Sequence, residues 1–404
     1  MTIRMDEGAA ELLDTLHRAG YAAYVVGGCV RDSLLGLTPH DWDLCTSALP
    51  QQGMELFGEE KCIPTGLQHG TVTVKQGGGL YEITTFRTEG TYTDGRHPDE
   101  VHFVPDVRED LARRDFTINA MAYNEKEGLV DPFGGQADLQ SGILRAVGVP
   151  HQRFTEDALR ILRLYRFAAR FGFSIDLPTA QAAQELCAHL DCVSVERIEE
   201  ELAKLLSAPA PAAYLDKKIL LVILPELSSE ALAAAKPVVD ACPAGAENLP
   251  IRLAALLLSL GEDGTRRTLR RLRCSNACIE ETAVLVREVV SGVPVSLNIY
   301  ARRLLGKYNL CTVQRLAALG TALQPERAAD FAALSELAEQ LDADSVCCRV
   351  SQLAVNGRDL MAAGVPAGPG IRKVLEALLD GVIREEYPNE RQALLAAVQQ
   401  LAAS

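Results

Sequence analysis

Apolar and polar residues follow two different periods along the first third of the chain and a single period afterwards. Residues 7–19 repeat their apolar positions as an amphipathic helix does, whereas Ala22–Val26 is a short apolar run typical of a buried strand. From Glu156 onward almost every segment has the helical period, interrupted by prolines and by the glycine- and proline-rich residues 364–370. The pattern predicts an α/β head with a small mixed β-sheet, followed by an elongated all-α remainder.

Glycines and short β-forming runs subdivide the head. A helix is predicted after Gly27-Gly28 and ends at Gly36, and a second short helix is predicted near Gln51–Phe57. Three further strand-like runs complete the predicted sheet, namely Trp42–Cys45, Thr71–Lys75 and Tyr81–Phe86.

Composition places the chain among globular proteins. Of its 404 residues, 48% are hydrophobic and 23% charged, and the net charge of −14 excludes a uniformly basic protein that coats nucleic acid. The first residues contain no apolar signal segment, and no run approaches the roughly 18 apolar residues of a membrane span. The 11 cysteines are scattered and no histidine follows His189, so we expect reduced thiols, no zinc knuckle, no membrane partner and a cytoplasmic location.

Two carboxylates, Asp41 and Asp43, are the first candidates for chemistry. Residues two apart on a strand point to one face, and a divalent cation bound between two such carboxylates relieves their repulsion. A pair of Mg²⁺ ions held in this way serves nucleotidyl transfer, because it activates a hydroxyl and neutralises the leaving pyrophosphate. Glu82, in the middle of another predicted strand, is either a third carboxylate of this site or a solvent-facing residue.

A glycine pair next to the acidic pair suggests phosphate binding. Gly27 and Gly28 lie between a predicted strand and a predicted helix, where the missing side chains let the backbone approach a phosphate. Arg31 adds a positive charge one turn later.

A second polar cluster interrupts an apolar stretch that we interpret as helical. Arg113 and Arg114 are followed there by Asp115 and Asn119. These side chains suit a triphosphate and a ribose hydroxyl, and they suit a surface ion-pair cluster equally well.

A row of arginines at helical spacing follows Asp157. We expect Asp157 and Arg160, three residues apart, to lie on one face of a helix. A surface salt bridge between Glu156 and Arg160 does not explain the whole row. Such a row grips phosphates or presents fixed donors and acceptors to a base. Its members are Arg160, Arg163, Arg166 and Arg170.

Taken together and in this order, these groups resemble the motifs of the bacterial class II tRNA nucleotidyltransferases, the CCA-adding enzymes. The resemblance covers residues 20 to about 205, and it implies a nucleotidyltransferase head, template-independent addition of C, C and A to tRNA from CTP and ATP, and Mg²⁺ as cofactor. The matching residues are Gly27-Gly28-x-x-Arg31, Asp41-x-Asp43, Arg113-Arg114-Asp115-Phe116-x-x-Asn119-Ala120, Asp131-x-x-Gly134-Gly135, Glu156-Asp157-x-x-Arg160 and Ser194-x-Glu196-Arg197-x-x-x-Glu200/Glu201.

The resemblance also implies roles for single residues. Asp41 and Asp43 match the Mg²⁺ ligands, and we count Glu82 with them as the catalytic set. Asp157 and Arg160 match the pair that reads the incoming base in place of a nucleic-acid template. The remaining nucleotide contacts fall to Gly28, Arg31, Arg114, Asp115, Asn119, Arg163 and Arg166.

Four segments are expected from this resemblance and from the helical pattern. They are a catalytic head at 1–145, a neck for base recognition at 146–207, and a body at 208–335 and a tail at 336–404 that bind tRNA. Arginines are concentrated in the body despite the acidic total, which predicts contacts to the tRNA backbone. The predicted contacts are Arg266, Arg267, Arg270, Arg271, Arg273, Arg302 and Arg303.

Other functions remain open at this point. A bacterial poly(A) polymerase resembles the head but usually carries a strongly basic C-terminal extension. An enzyme that adds only CC characteristically lacks a loop that Thr88–His102 resembles, whereas an enzyme that adds only A fits the sequence. A non-catalytic tRNA-binding protein has no use for the Asp41–Asp43 pair. An HD-type phosphohydrolase site in the C-terminal half is excluded, because no histidine follows His189. The sequence does not indicate whether the protein is a monomer or a homodimer.

Overall fold

The chain divides into two units, Met1–Pro225 and Glu226–Ser404. The computed structural model describes residues 3–90, 100–290 and 297–403. All strands lie in the first unit, and the described residues of the second unit form only helices and their connections. The α/β head and the helical remainder predicted from the sequence are therefore confirmed, whereas the division into four segments stays a prediction.

The first unit is built on short strands, most of them three to seven residues long. Their bounds are Ala23–Val26 (β1), Leu44–Thr46 (β2), Cys62–Gly66 (β3), Thr71–Gln76 (β4), Gly79–Thr85 (β5), Arg87–Glu89 (β6), Val101–Phe103 (β7), Ala122–Asn124 (β8), Gly128–Val130 (β9), Ile143–Leu144 (β10) and Ser174–Ile175 (β11).

Seven of these strands form one mixed sheet in the order β3-β4-β5-β2-β1-β8-β9. The central pair β2–β5 is parallel, and the other neighbours are antiparallel. The strands β6 and β7 pair separately at the base of the segment Thr88–His102, of which residues 91–99 lie outside the described residues. The strands β10 and β11 form a small parallel pair.

Ten helices lie in the described part of the first unit. Their bounds are Glu7–Arg18 (α1), Gly28–Leu34 (α2), Pro50–Phe57 (α3), Val107–Ala112 (α4), Gly135–Ser141 (α5), Pro150–Glu156 (α6), Leu159–Phe171 (α7), Leu177–Glu185 (α8), Val195–Leu206 (α9) and Lys217–Ile223 (α10).

Ten further helices form the described part of the second unit. None of the described helices in either unit has the length and apolar content to cross a membrane. The bounds in the second unit are Ser229–Ala241 (α11), Leu249–Leu257 (α12), Gly261–Arg271 (α13), Asn276–Val290 (α14), Leu297–Lys307 (α15), Leu310–Leu323 (α16), Ala328–Ala343 (α17), Gly357–Ala362 (α18), Gly370–Ile383 (α19) and Arg391–Ala403 (α20).

The sheet and α4 enclose the core that supports the polar residues of the head. Apolar side chains of β1, β2 and α4 meet there, because each element places its apolar face on the same side. The buried members are Tyr24, Val26, Cys45, Phe86, Val107, Leu111, Ala120, Ala122 and Val147.

The structure corrects the interpretation of the stretch after Arg113 as helical. The helix α4 ends at Ala112, and only a short 3₁₀ turn at Thr117–Asn119 follows before β8. The backbone N–H of Thr117 donates to the carbonyl of Arg145 at 2.9 Å, and that of Val147 donates to the carbonyl of Asp115 at 3.1 Å. Pairing with a distant segment therefore replaces the helix that the apolar pattern suggested.

Candidate active site

The acidic residues of the head meet at one position of the mixed sheet. The strand β2 begins at Leu44, so Asp41 and Asp43 precede the strand instead of lying on it, which corrects the sequence prediction. Asp43 still adjoins the sheet, because its carbonyl accepts the backbone N–H of Val26 at 2.9 Å. Leu44 is in register with Ile83 across the parallel pair, and Glu82 therefore stands beside Asp43.

The electrostatics of this acidic group favour a bound cation. Asp43 is a surface residue, but surrounding protein atoms desolvate its carboxylate, and the charges of Asp41 and Glu82 add to this effect and raise the pKa of Asp43 to about 6. The positive charge of Arg114 lowers that pKa only in part. The described residues contain no group of three or more His, Cys, Asp and Glu side chains already close enough to hold a metal. A pair of oxygen donors with uncompensated negative charge nevertheless fits a hard divalent cation.

Gly27 makes room for Arg114 next to the acidic group. Its φ of +77° lies in the region that side-chain-bearing residues avoid, and a Cβ there would stand 2.8 Å from Nη1 of Arg114. The Nε atom of Arg114 is buried and has no hydrogen-bond partner among the described residues. The next residue, Gly28, opens α2 with no side chain over its backbone. The glycine pair thus leaves a space lined by backbone and by a guanidinium.

Asp115, Asn119 and Arg31 form a buried cluster behind that space. The side-chain amide of Asn119 donates to Oδ1 of Asp115 at 3.0 Å, and its Oδ1 accepts from Nη1 of Arg31 at 2.5 Å. Arg31 is only 4% exposed and also bonds Asp32 at 2.7 Å. The structure therefore places Arg31 inside the protein with protein partners.

The arginines of α7 continue this cluster as an internal ion-pair chain. Nη2 of Arg163 donates to Oδ2 of Asp115 at 2.8 Å, and Nη1 of Arg163 and Nε of Arg166 both face Glu201 of α9, at 3.4 and 2.5 Å. Burial alone would raise the pKa of Asp115, but Arg163 and Asn119 outweigh it and lower the pKa to about 2. The guanidinium of Arg166 also stacks on the Phe167 ring at 3.7 Å. Asp115 is accordingly ionised and firmly held.

Asp157 and Arg160 do not share a helix, contrary to the sequence prediction. Asp157 lies in extended backbone between α6 and α7, where its Oδ1 accepts the N–H of Leu159 at 3.0 Å and so caps α7. Its charge partner is Arg197 of α9, at 2.7 Å, whereas Arg160 pairs with Glu156 at 2.8 Å. The carboxylate and the guanidinium are each fixed by a separate partner.

Sequence reasoning assigned no role to several residues that build this site. Arg197 and Glu201 belong to the fifth motif, whose spacing was recognised without a partner for either residue. Asp110, which is fully buried and bonds Arg113 and Arg114, belongs to no recognised motif. The spacing of three and four residues between Asp110 and the two arginines, which brings such side chains together on a helix, was the one signal that the sequence contained.

The predicted tRNA-binding arginines lie in the second unit, and most of them have acidic neighbours. Arg266 pairs with Glu262 and Glu280, and Arg271 pairs with Glu226. Arg302 pairs with Glu385, and Arg303 pairs with Asp380. Within the described part of the chain, the side chains of Arg267 and Arg270 form no hydrogen bond or ion pair, and both are exposed, although the charge of Arg270 acts on Glu280. Arg273 is exposed as well.

Family models match three stretches of the chain. A model described as the poly(A) polymerase head domain matches residues 23–145. A model described as the probable RNA- and SrmB-binding site of polymerase A matches residues 172–230, and a model for domain 2 of tRNA nucleotidyltransferases matches residues 251–398.

Whole-chain comparisons agree with these matches. The CCA-adding enzyme of Lactiplantibacillus plantarum is 37% identical over 397 residues, covering 96% of this chain and 95% of that enzyme. The CCA-adding enzyme of Bacillus stearothermophilus, solved in complex with CTP, has a TM-score of 0.81 and 31% identity, covering 99% of this chain and 98% of that one. The Thermotoga maritima CCA-adding enzyme, solved in complex with tRNA, shares the fold, with a TM-score of 0.70 and 22% identity. The match covers 98% of this chain and 94% of that one. The chain belongs to the family of CCA-adding enzymes, which are nucleotidyltransferases.

Proposed function

We propose that this chain adds C, C and A to the 3′ end of tRNA, taking the nucleotides from CTP and ATP and releasing pyrophosphate. The observation that carries the proposal is the meeting of an acidic group with a glycine pair and the guanidinium of Arg114. Asp43, the residue before β2, lies beside Glu82 of β5, and Arg114, which contacts Gly27, is close enough for its charge to act on Asp43. A protein that only binds tRNA has no need of clustered carboxylates, one of which, Asp43, has its pKa raised by desolvation and by the charges of its neighbours.

The residues that would hold a metal are Asp41 and Asp43, with Glu82 beside them, and we propose that the metal is Mg²⁺. When bound, such a cation activates the attacking 3′ hydroxyl and neutralises charge on the leaving pyrophosphate. The carboxylates themselves hold the negative charge that makes the position selective for a hard cation.

The triphosphate and the ribose are assigned to the space behind the acidic group. Among the described residues, the one side-chain acceptor of the Arg114 guanidinium is Asp110, which faces Nη2, so N–H groups of Arg114 are left for phosphate oxygens. Gly28 leaves the backbone open to the same ligand. Asp115 and Asn119 suit the ribose hydroxyl, and Arg31 supports them from inside the protein through its bond to Asn119.

Base choice is assigned to Asp157 and Arg160. Cytosine and adenine both present an amino group next to a ring nitrogen, that is, a donor beside an acceptor, whereas uracil and guanine present the reverse pair. A carboxylate accepts from the amino group and a guanidinium donates to the ring nitrogen. Arg160 uses Nη1 twice and Nη2 once within the protein, which leaves further N–H groups for a base. Arg163 and Arg166 support this region from α7.

We propose the same division of labour that the sequence suggested, with catalysis in 1–145, base recognition in 146–207 and tRNA binding in 208–335 and 336–404. The buried thiols of Cys29, Cys45 and Cys187 suit a reducing compartment, which favours the cytoplasm.

The decisive experiment is incubation of the purified protein with tRNA that ends at the discriminator base, together with CTP, ATP or both. Sequencing of the 3′ ends should show CC with CTP alone and CCA with both nucleotides. Addition of CC only, of A only to tRNA that already ends in CC, or of a long A tract would identify a partial enzyme or a poly(A) polymerase. Unchanged ends would contradict the proposal and leave a tRNA-binding protein.

The arrangement of the body arginines predicts which of them contact tRNA. Replacing Arg267 and Arg270 with glutamine should weaken tRNA binding and reduce the slope of log K against log salt by about 1 to 2, because each lost phosphate contact removes a little under one unit. The matched control replaces Arg266 and Arg271, whose charges are already balanced by glutamates, and should change the slope less. Equal slopes for the wild type and the Arg267/Arg270 variant would place the interface elsewhere.

A further inference from the structure

We propose that Asp110 is a positioning residue for nucleotide binding, and that it acts by holding the guanidinium of Arg114 over Gly27. The proposal rests on the assignment of Arg114 to the triphosphate made above and extends it to a residue outside the recognised motifs. Asp110 itself reaches neither solvent nor the space in front of Gly27, since its side chain is fully buried.

The contacts of Asp110 are divided between two arginines. Its Oδ1 accepts from Nε and Nη2 of Arg113, at 3.0 and 2.8 Å, and from the backbone N–H of Arg87 at 3.3 Å. Its Oδ2 faces Nη2 of Arg114 at 3.4 Å. Burial opposes ionisation of Asp110, but the two guanidinium groups outweigh it and lower its pKa below the ordinary value. A charged carboxylate therefore stands directly behind Arg114.

The two arginines differ in how much they depend on Asp110. Arg113 also pairs with Glu89 of β6 at 2.9 Å, so it has a second carboxylate. Among the described residues, the Arg114 side chain has one hydrogen-bond acceptor, which is Asp110. The Nε atom of Arg114 is buried and has no partner among them. Loss of Asp110 would leave Arg113 anchored and Arg114 without a fixed orientation.

The position of Arg114 shows why its orientation matters. Its Nη1 lies 2.8 Å from the point that a Cβ on Gly27 would occupy, and its charge acts on Asp43. A long flexible side chain gains affinity for phosphate when it is held in place before the ligand arrives. We therefore expect Asp110 to influence the binding of every nucleotide through the triphosphate, without influence on base choice.

The test compares Asp110→Asn, Arg114→Gln and the double variant in steady-state addition of CTP and ATP. Asp110→Asn should raise KM for both nucleotides by about tenfold, the loss of one charged hydrogen bond, with a smaller change in kcat and an unchanged ratio of CTP to ATP use. Arg114→Gln should raise KM at least as much, and the double variant should equal Arg114→Gln alone. Inhibition by inorganic triphosphate should weaken in parallel.

The matched control is Asp176→Asn, which removes a largely buried carboxylate that pairs with Arg145 and leaves the Asp110–Arg114 contact in place; its KM should equal that of the wild type. If Asp110→Asn fails to fold, Asp110→Glu keeps the charge and displaces it. The extra methylene in a buried position should lower the melting temperature, but the variant should still melt cooperatively and show a raised KM. An unchanged KM, or effects of Asp110 and Arg114 that multiply in the double variant, would overturn the role of Asp110. An unchanged KM in Arg114→Gln would instead remove the triphosphate assignment, whereas CCA addition itself is judged on the wild type.

Discussion

Replacing Asp43 with asparagine is expected to reduce incorporation of CTP and ATP by about a thousandfold or more, because a cation that neutralises the reacting phosphates contributes several kcal/mol to the rate. Asp41→Asn should have an effect of the same size, since both carboxylates are ligands in the proposed cation site. Binding of tRNA should change little. Single-turnover addition of one nucleotide, measured alongside tRNA binding by filter retention, separates the two quantities.

Thermal unfolding in a chelator distinguishes loss of chemistry from loss of fold. The pKa of Asp43 is raised to about 6, so the folded state binds the proton more tightly than the unfolded state, and stability falls as the pH rises from about 4 to about 6. Asp43→Asn removes a desolvated negative charge that lies beside Asp41 and Glu82. The variant should therefore melt no lower than the wild type at pH 8. The control Asp14→Asn, on the exposed face of α1, should keep full activity. More than about a tenth of wild-type activity in Asp43→Asn would contradict the assignment.

Replacing Asp157 with alanine is expected to lower the selection of CTP and ATP over UTP and GTP by about 10- to 150-fold, because one charged hydrogen bond to the base is worth roughly 1.5–3 kcal/mol. The acidic group and Arg114 are untouched by the change, so chemistry on a bound nucleotide should continue. Relative kcat/KM for the four nucleotides is the measurement.

The structural role of Asp157 requires its own control. Its Oδ1 caps α7 through the N–H of Leu159, so alanine should also lower stability by about 1 kcal/mol. Asp157→Ser can still cap the helix but can neither pair with Arg197 nor present a carboxylate to the base, so it should recover the capping part of the stability without recovering selectivity. Wild-type nucleotide ratios in both variants would show that Asp157 serves the helix and its pair with Arg197 alone.

Local sequence predicted the glycine pair well and the polar stretch after Arg113 poorly. Gly27 adopts a φ of +77° and ends a strand, as its residue type allows. The stretch through Asp115 and Asn119 has the apolar spacing of a helix, but its backbone bonds a segment some thirty residues away. Periodicity describes neighbours along the chain and is blind to such a partner.

The arginine row of α7 shows the same limit for side chains. Its helical spacing and its amphipathic character are visible in the sequence, and α7 is observed where they predict it. The partners of Arg163 and Arg166, however, are Asp115 and Glu201, which lie 48 residues before and 38 residues after Arg163. Those distant carboxylates decide which arginines of the row are paired inside the protein and which are left for a ligand.

The sequence by itself determined the residue types of the site, their order and the α/β head followed by helices, because glycine conformations, helical period and motif spacing are local properties of the chain. Tertiary structure alone decided that Glu82 stands beside Asp43 and that Asp157 pairs with Arg197 instead of Arg160. These are contacts between segments brought together by the parallel β2–β5 pair and by the packing of α7 on α9. A buried charge must find a partner in space, and its position in the chain does not say which one.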